Sequence, residues 1–222
     1  YVANPPIRSA DEDPVGALRP VRASWLHGSM IGLLAVAFGS LFVLVGGELA
    51  MIAALQEVGK SSLAGAVTVV MAAASALGGA IYGALHRGFP STALLAGMSL
   101  LMLPVGLAGH QWWLLAIALI PTNLLCAPTL SSVNDAVSRL APPAARGEAM
   151  GLSNSADTLG VAAGSPLIGL IIDVAGSGAG FLAAGAGGLA VAGAAMLTGK
   201  RARENPPPQP DPSETSTTQG AA

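Results

Sequence analysis

Six polar or acidic side chains stand in stretches that are otherwise nearly free of charge: Ser40, Glu48, Thr122, Asn123, Asn154 and Asp157. A carboxylate inside a long apolar segment is costly to bury, so it needs a cavity, a partner or a proton path. Glu48 follows Gly46-Gly47 and lies about six residues, roughly 9 Å, inside the end of its apolar run. Glutamate is too short to reach water easily from that depth, which makes Glu48 a candidate for proton uptake in a cavity. The competing reading is an interface carboxylate paired across helices. Asp157 lies in the polar run Ser153-Asn154-Ser155-Ala156-Asp157-Thr158. There Asn154, Asp157 and Thr158 share one helical face, and a role in an inner vestibule competes with plain snorkelling. Asp135 and Asp173 stand at segment ends and read as structural, Asp135 being four residues before Arg139 at the spacing of an exposed pair.

Other chemistries lack their parts. Cys126 is the one cysteine, and His27, His86 and His110 are scattered, so neither a disulfide framework nor metal-ligand spacing exists. No cofactor is expected. Gly151-Leu152-Ser153 has the look of a Gly-x-Ser nucleophile, but such a serine needs a base within hydrogen-bond reach. No histidine follows His110, so an intramembrane protease is not expected, nor any other enzyme. Neither a phosphate-cradling P-loop nor a potassium-filter signature occurs. Net charge is −2 with no basic run, which argues against a nucleic-acid partner.

The elements that must hold these residues follow from composition. Of 222 residues, 52% are apolar and 10% charged, and the mean hydropathy is +0.63. A soluble domain carries about 25% charge. The charges cluster between six apolar stretches, at about 29–54, 64–86, 91–109, 112–134, 148–173 and 179–199. Crossing a hydrocarbon layer of about 30 Å takes roughly 20 helical residues. Lipid cannot satisfy exposed backbone groups, and continuous apolar runs favour helices over a closed barrel. The expected fold is all-α, a polytopic membrane protein with six transmembrane helices over 29–199. Residues 1–28 read as a cytoplasmic linker and 200–222 as a disordered cytoplasmic tail rich in Pro, Ser, Thr and Gln. A chain opening on Tyr1 within linker-like sequence reads as the remainder of something longer.

Arg8, Arg19, Arg22, Arg87, Arg139, Arg146, Lys200, Arg201 and Arg203 fall in one set of connections, and Lys60 in the other. By the positive-inside rule both termini are cytoplasmic, at the inner or plasma membrane of the cell. Trp25 at the inner edge and Trp112-Trp113 at the outer edge suit the interfacial aromatic belt.

Small residues at four-residue intervals, such as Ser75, Gly79 and Gly83, mark helix contact faces. Gly46-Gly47 interrupts the first span. Pro121 and Pro128 bracket Thr122 and Asn123 in the fourth. These spans open successive triplets of helices, and paired interruptions at corresponding positions point to a transporter binding site near the midplane; the competing reading is a proline kink whose freed groups are satisfied by neighbouring helices.

Three stretches carry a family resemblance. They are Phe38-Gly39-Ser40 through Glu48, then Gly78-Gly79-Ala80-Ile81-Tyr82-Gly83-Ala84-Leu85-His86-Arg87, and Arg146-Gly147 through Gly164-Ser165-Pro166 to Asp173. Together they resemble the C-terminal six-helix half of a major facilitator superfamily transporter, in tone a bacterial drug or metabolite exporter. The second is similar to that family's cytoplasmic motif, with Gly83 where an Asp is common and Arg87 alone left of its basic cluster. The resemblance implies proton-coupled export of a small amphipathic substrate by alternating access, half of a twelve-helix fold, with an N-terminal six-helix half as partner beside the lipid bilayer. It implies that spans one, two, four and five line the cavity while three and six lie peripherally. Glu48, Asp157, Asn123, Asn154, Ser40 and Thr122 are then the substrate-cavity or proton-coupling candidates, and Arg87 and Arg146 the cytoplasmic gating-loop candidates. The alternative is a non-transporting membrane accessory subunit or truncated remnant.

Overall fold

The computed structural model describes residues 28–84, 89–107 and 111–204. Its helices are α1 (Gly28–Glu57), α2 (Ala64–Ala84), α3 (Ser91–Met102), α4 (Trp112–Leu124), α5 (Cys126–Leu140) and α6 (Arg146–Glu204). Four helical stretches are long and apolar enough to cross a membrane: Gly28–Glu57, Ser61–Ala84, Trp112–Leu140 and Pro143–Thr198; Ser91–Gly106 is shorter. The protein is all-α and polytopic.

The ends and bends have local causes. α1 stops in a Schellman motif: Gly59 takes φ 67°, Lys60 N–H donates to the Leu55 carbonyl at 2.8 Å, and Gly59 N–H to the Gln56 carbonyl at 3.0 Å. After Met102 the chain tightens into a 3-10 turn over Leu103–Leu107, where Pro104 has no N–H to offer the Leu100 carbonyl. The fourth predicted span, 112–134, is instead two helices meeting at Leu125 and running on to Leu140. Pro128 explains the break, since it cannot donate to Leu124 and its ring crowds that carbonyl.

The two predicted spans 148–173 and 179–199 form the single long element α6, which turns at Gly176 (φ 84°, ψ 172°). Only glycine adopts that conformation readily. Packing shows that α6 is a hairpin. Phe42 lies against both Gly164 and Gly187, Gly46 against both Ile168 and Ala184, and Ile172 meets Gly180. Each pair is centred on Gly176, so the first arm (146–175) and second arm (177–204) run antiparallel.

The same contacts fix directions throughout. Along α1, Phe38 and Phe42 meet Gly160 and Gly164 in ascending order, so α1 and the first arm are parallel. Gly39 meets Leu95 and Gly47 meets Met102, which makes α3 parallel to α1 as well. Against the second arm the order reverses: Gly32 meets Ala195, Gly39 meets Val191 and Gly46 meets Ala184. The helices α1, α3 and the first arm of α6 therefore run one way, and the second arm runs the other.

The core sits where α1, α3 and both arms of α6 meet, and Val43, Met51, Leu95, Met98, Ile168 and Phe181 are each at most 1% exposed. Glycine at the crossings lets backbones touch. A Cβ on Gly160 would overlap the Phe38 carbonyl, whereas one on Gly151 meets nothing within 4 Å. Gly160→Leu is expected to cost at least the 1–3 kcal/mol, about, of an overpacked core. Gly151→Ala should be neutral or stabilising by up to about 1 kcal/mol. Equilibrium unfolding in detergent checks both, and equal losses at the two positions would contradict this packing.

Candidate functional site

Glu48 lies nine residues before the end of α1, on the less buried face that also carries Ile31 (48% exposed) and Ile52 (40% exposed). Gly32, Gly39 and Gly46 of that helix point roughly the opposite way, into the α6 hairpin. Glu48 itself is exposed. Beside it α2 and α5 converge: Ser75 of α2 lies against the buried Cys126 at the start of α5, within electrostatic reach of Glu48. The carboxylate thus sits on the side where three helices meet, away from the packed core.

Asp157 comes eleven residues after the start of α6, about 16 Å along the helix. Its Oδ1 is buried without a hydrogen-bond partner among the described residues. Asp157 borders two faces of the first arm. On one side are Ser153 (0% exposed) and Gly160, packed inward. On the other, Asn154 and Thr158 are exposed, aligned at helical spacing with Gly147, Gly151 and Ser165. The hydroxyls of this arm serve their own helix, with Thr158 Oγ1 donating to the Asn154 carbonyl and Ser165 Oγ to the Val161 carbonyl, both at 2.9 Å.

Three other candidates lie inside the bundle. Ser40 is 2% exposed and donates to the Val36 carbonyl at 2.7 Å, so its hydroxyl is occupied within α1. Asn123 is 6% exposed and its Nδ2 donates to the Leu119 carbonyl at 3.0 Å. Thr122 is equally buried, and its Oγ1 has no partner among the described residues. These last two flank the helix break at Leu125. There Leu125 N–H donates to the Thr122 carbonyl at 3.3 Å, and Thr129 Oγ1 donates to the Leu125 carbonyl at 2.6 Å. Proline frees backbone groups, and nearby side chains take them up. Gly78 of α2 rests against the Leu124 carbonyl; a Cβ there would overlap it.

Arg146 opens α6 and is exposed. Arg87, His27, His86, His110 and Trp25 lie outside the described residues. Trp112 and Trp113 are 41% and 49% exposed at the start of α4. Among the described residues, no group of His, Cys, Asp and Glu is arranged to hold a metal ion.

One pair escaped sequence reasoning. Glu57, the last residue of α1, accepts from Ser177 N–H at 2.9 Å through Oε1 and from Ser177 Oγ at 2.7 Å through Oε2. Ser177 directly follows the Gly176 turn, so this carboxylate caps the free N–H groups that begin the second arm. It also borders a cavity of about 230 Å³ with Val105, Leu115 and Phe181. Gly176-Ser177 carried a turn signal; nothing in the sequence linked it to a residue 120 positions earlier.

A membrane protein built of antiparallel helical passages, with embedded carboxylates on its less buried faces, has the form of a transporter. The family model described as Major Facilitator Superfamily matches residues 25–220, and the chain belongs to that superfamily, whose members are membrane transporters rather than enzymes. No curated protein matches the chain.

Ser177→Ala removes one hydrogen bond of the cap and leaves the backbone donor. It should lower stability by about 1 kcal/mol. Glu57→Ala removes both bonds and should cost more, up to about 2 kcal/mol. Thermal unfolding of the two variants checks the order, and a reversed order would show that the cap is not what ties α1 to the hairpin.

Proposed function

We propose that the chain is the C-terminal half of a proton-coupled exporter of small amphipathic compounds, working by alternating access against an N-terminal six-helix half. In this reading all six passages cross the membrane, with both termini in the cytoplasm. The observation that carries it is Glu48: a carboxylate deep in a membrane-spanning helix, on the face that turns away from the core and toward α2 and α5. A charge held there is costly unless water, a proton or a cationic substrate group reaches it.

Several features support the reading. Lys60 follows α1 at the end where Glu57 meets Ser177, while Arg139 and Arg146 stand at the opposite end, the distribution that the positive-inside rule favours. Asp157 supplies a second carboxyl, with one oxygen buried and unpartnered, where a proton or a polar substrate group can be received. Beside Asp157, the exposed Gly151, Asn154, Ser155 and Thr158 leave a weakly polar surface suited to amphipathic ligands. Rocking one rigid half against another needs halves that do not deform, and the glycine-mediated contacts of α1 with α6 make such a body.

Substrate flux is measured in vesicles carrying the complete transporter, with and without a pH gradient. Glu48→Gln should keep substrate binding and lose most of the acceleration by the gradient, about tenfold or more if one charge-assisted interaction of about 1.5–3 kcal/mol is removed. Asp157→Asn should weaken flux at every pH without abolishing the gradient's effect. Coupling that survives intact in Glu48→Gln shows that Glu48 does not carry the proton. Coupling lost in Asp157→Asn instead transfers the role to Asp157.

A further inference from the structure

The first arm of α6 carries the hydroxyls of Ser153, Ser155, Thr158 and Ser165, and the last three behave alike. Each donates to the carbonyl four residues earlier, at 2.9 Å. Ser153 does not. Its side chain is 0% exposed, yet its Oγ has no hydrogen-bond partner among the described residues. One helical turn later, the Oδ1 of Asp157 is buried and unpartnered in the same way. Residues at i and i+4 lie one above the other on a helix face. Enclosing a polar atom without a partner is costly, and more so for a carboxylate oxygen than for a hydroxyl. One shared partner would answer for both.

Geometry says what that partner is. Side chains four residues apart on a helix have Cβ atoms about 5–6 Å apart, and Ser153 and Asp157 make no direct bond. A span of that size is closed by two hydrogen bonds of about 2.8 Å through one intervening oxygen atom. Room for it follows from the register of α1, which meets this arm with Phe38 at Gly160 and Phe42 at Gly164. Carried back one turn, that register sets Ala35 opposite Asp157, where the facing side chain is a single methyl. The intervening group must accept from a hydroxyl and donate to a carboxylate, and water does both. A hard metal ion takes six or more oxygen ligands, and these two side chains offer two.

We infer that Ser153 is a positioning residue for Asp157 and acts through one internal water held between them. The Ser153 O–H donates to the water, and the water donates to Asp157 Oδ1. One carboxyl oxygen is thereby fixed on the packed side, which leaves the other for the open side that carries Asn154 and Thr158. The serine of Gly151-Leu152-Ser153 is then not a nucleophile without a base but the anchor of a carboxylate. The effect on transport rests on the reading of Asp157 as a group that receives substrate; the bridge itself rests on the geometry of the first arm.

The test uses the full chain in lipid vesicles. Infrared difference spectra of wild type against Ser153→Ala, taken in ordinary water and in water enriched in oxygen-18, read the bridge directly. A water O–H band that shifts with the heavier oxygen should be present in wild type and in Ser153→Thr, and lost in Ser153→Ala. Thermal midpoints read the same contact by sign. Ser153→Ala should lower the midpoint by about 2–4 °C if the hydroxyl is bridged, whereas deleting an unpaired buried hydroxyl would leave it unchanged or raise it. In an Asp157→Leu background the same substitution should change nothing, because the bridge has already lost its other end. Flux is measured in vesicles carrying the complete transporter. There Ser153→Ala should raise the half-saturating substrate concentration about tenfold at an unchanged maximal rate, with Ser153→Thr restoring it. An unchanged or raised midpoint in Ser153→Ala, or no band sensitive to oxygen-18, overturns the proposal. A wild-type midpoint that follows sodium, with Ser153→Ala indifferent to it, overturns it too, since a cation would then hold the site. Band and midpoint as expected with unchanged half-saturation leave the bridge standing and count against Asp157 as the receiver of substrate.

Discussion

Close backbone contact between α1 and the two arms of α6 is the interaction on which the rest of the structure depends. In lipid, helices gain little from burying apolar surface against one another, so association rests on van der Waals contact and the fit of surfaces. Glycines on all three rods supply that fit. Gly160 and Gly164 admit the backbone of α1, while Gly46 and Gly187 admit side chains from the facing rods. Phe42 fills the seam between the arms, and α3 completes it as Ser99 meets Gly188. Were these positions larger, the hairpin could not close on α1, and neither the Glu48 face nor the Asp157 edge would be oriented.

A second constraint shapes the places where helices stop being regular. Each break frees backbone groups that lipid will not accept, and each is met locally. The turn at Gly176 is capped by Glu57, and the Leu125 break is served by Thr129 and covered by Gly78. At these two breaks the irregular backbone is covered by protein. The Leu125 break places the buried Thr122 and Asn123 beside it, so its polar side chains belong to the helix's own repair as much as to any cavity.

Much of this was legible because membrane helices announce themselves. The predicted start of the second span at 64, of the third at 91 and of the fourth at 112 coincide with the starts of α2, α3 and α4, since apolar runs bounded by charge or glycine leave little choice. Helix ends were less readable. The fourth rod runs to Leu140 rather than 134, because Asp135 and Arg139 sit in a turn that reaches past the apolar layer. Composition reports where lipid ends, not where hydrogen bonding ends. The site divided in the same way. Embedded carboxyls stand out in sequence as expensive groups, so Glu48 and Asp157 were legible as candidates. The inward turn of Ser40 and the bond between Glu57 and Ser177 depend on rotational phase and on contacts across 120 positions, and one sequence encodes these without displaying them.

The first arm of α6 shows how one helix can serve both constraints. Its inward face carries Ser153, Gly160, Gly164 and Ile168, closely matched to α1. Its outward face carries Gly147, Gly151, Asn154, Thr158 and Ser165, and a Cβ on either glycine would meet nothing within 4 Å. Small residues inside make contact rigid; small residues outside leave space and expose backbone and hydroxyl oxygen. Asp157 lies on the border, with one carboxyl oxygen enclosed. A change of charge there would act on both faces at once, altering the fit against α1 and the polarity of the open side. Glu48, on the far side of α1 from its glycines, can change charge with little effect on the packed seam. On the proposed reading of the chain as half of a proton-coupled exporter, that separation suits Glu48 to proton exchange and Asp157 to positioning substrate.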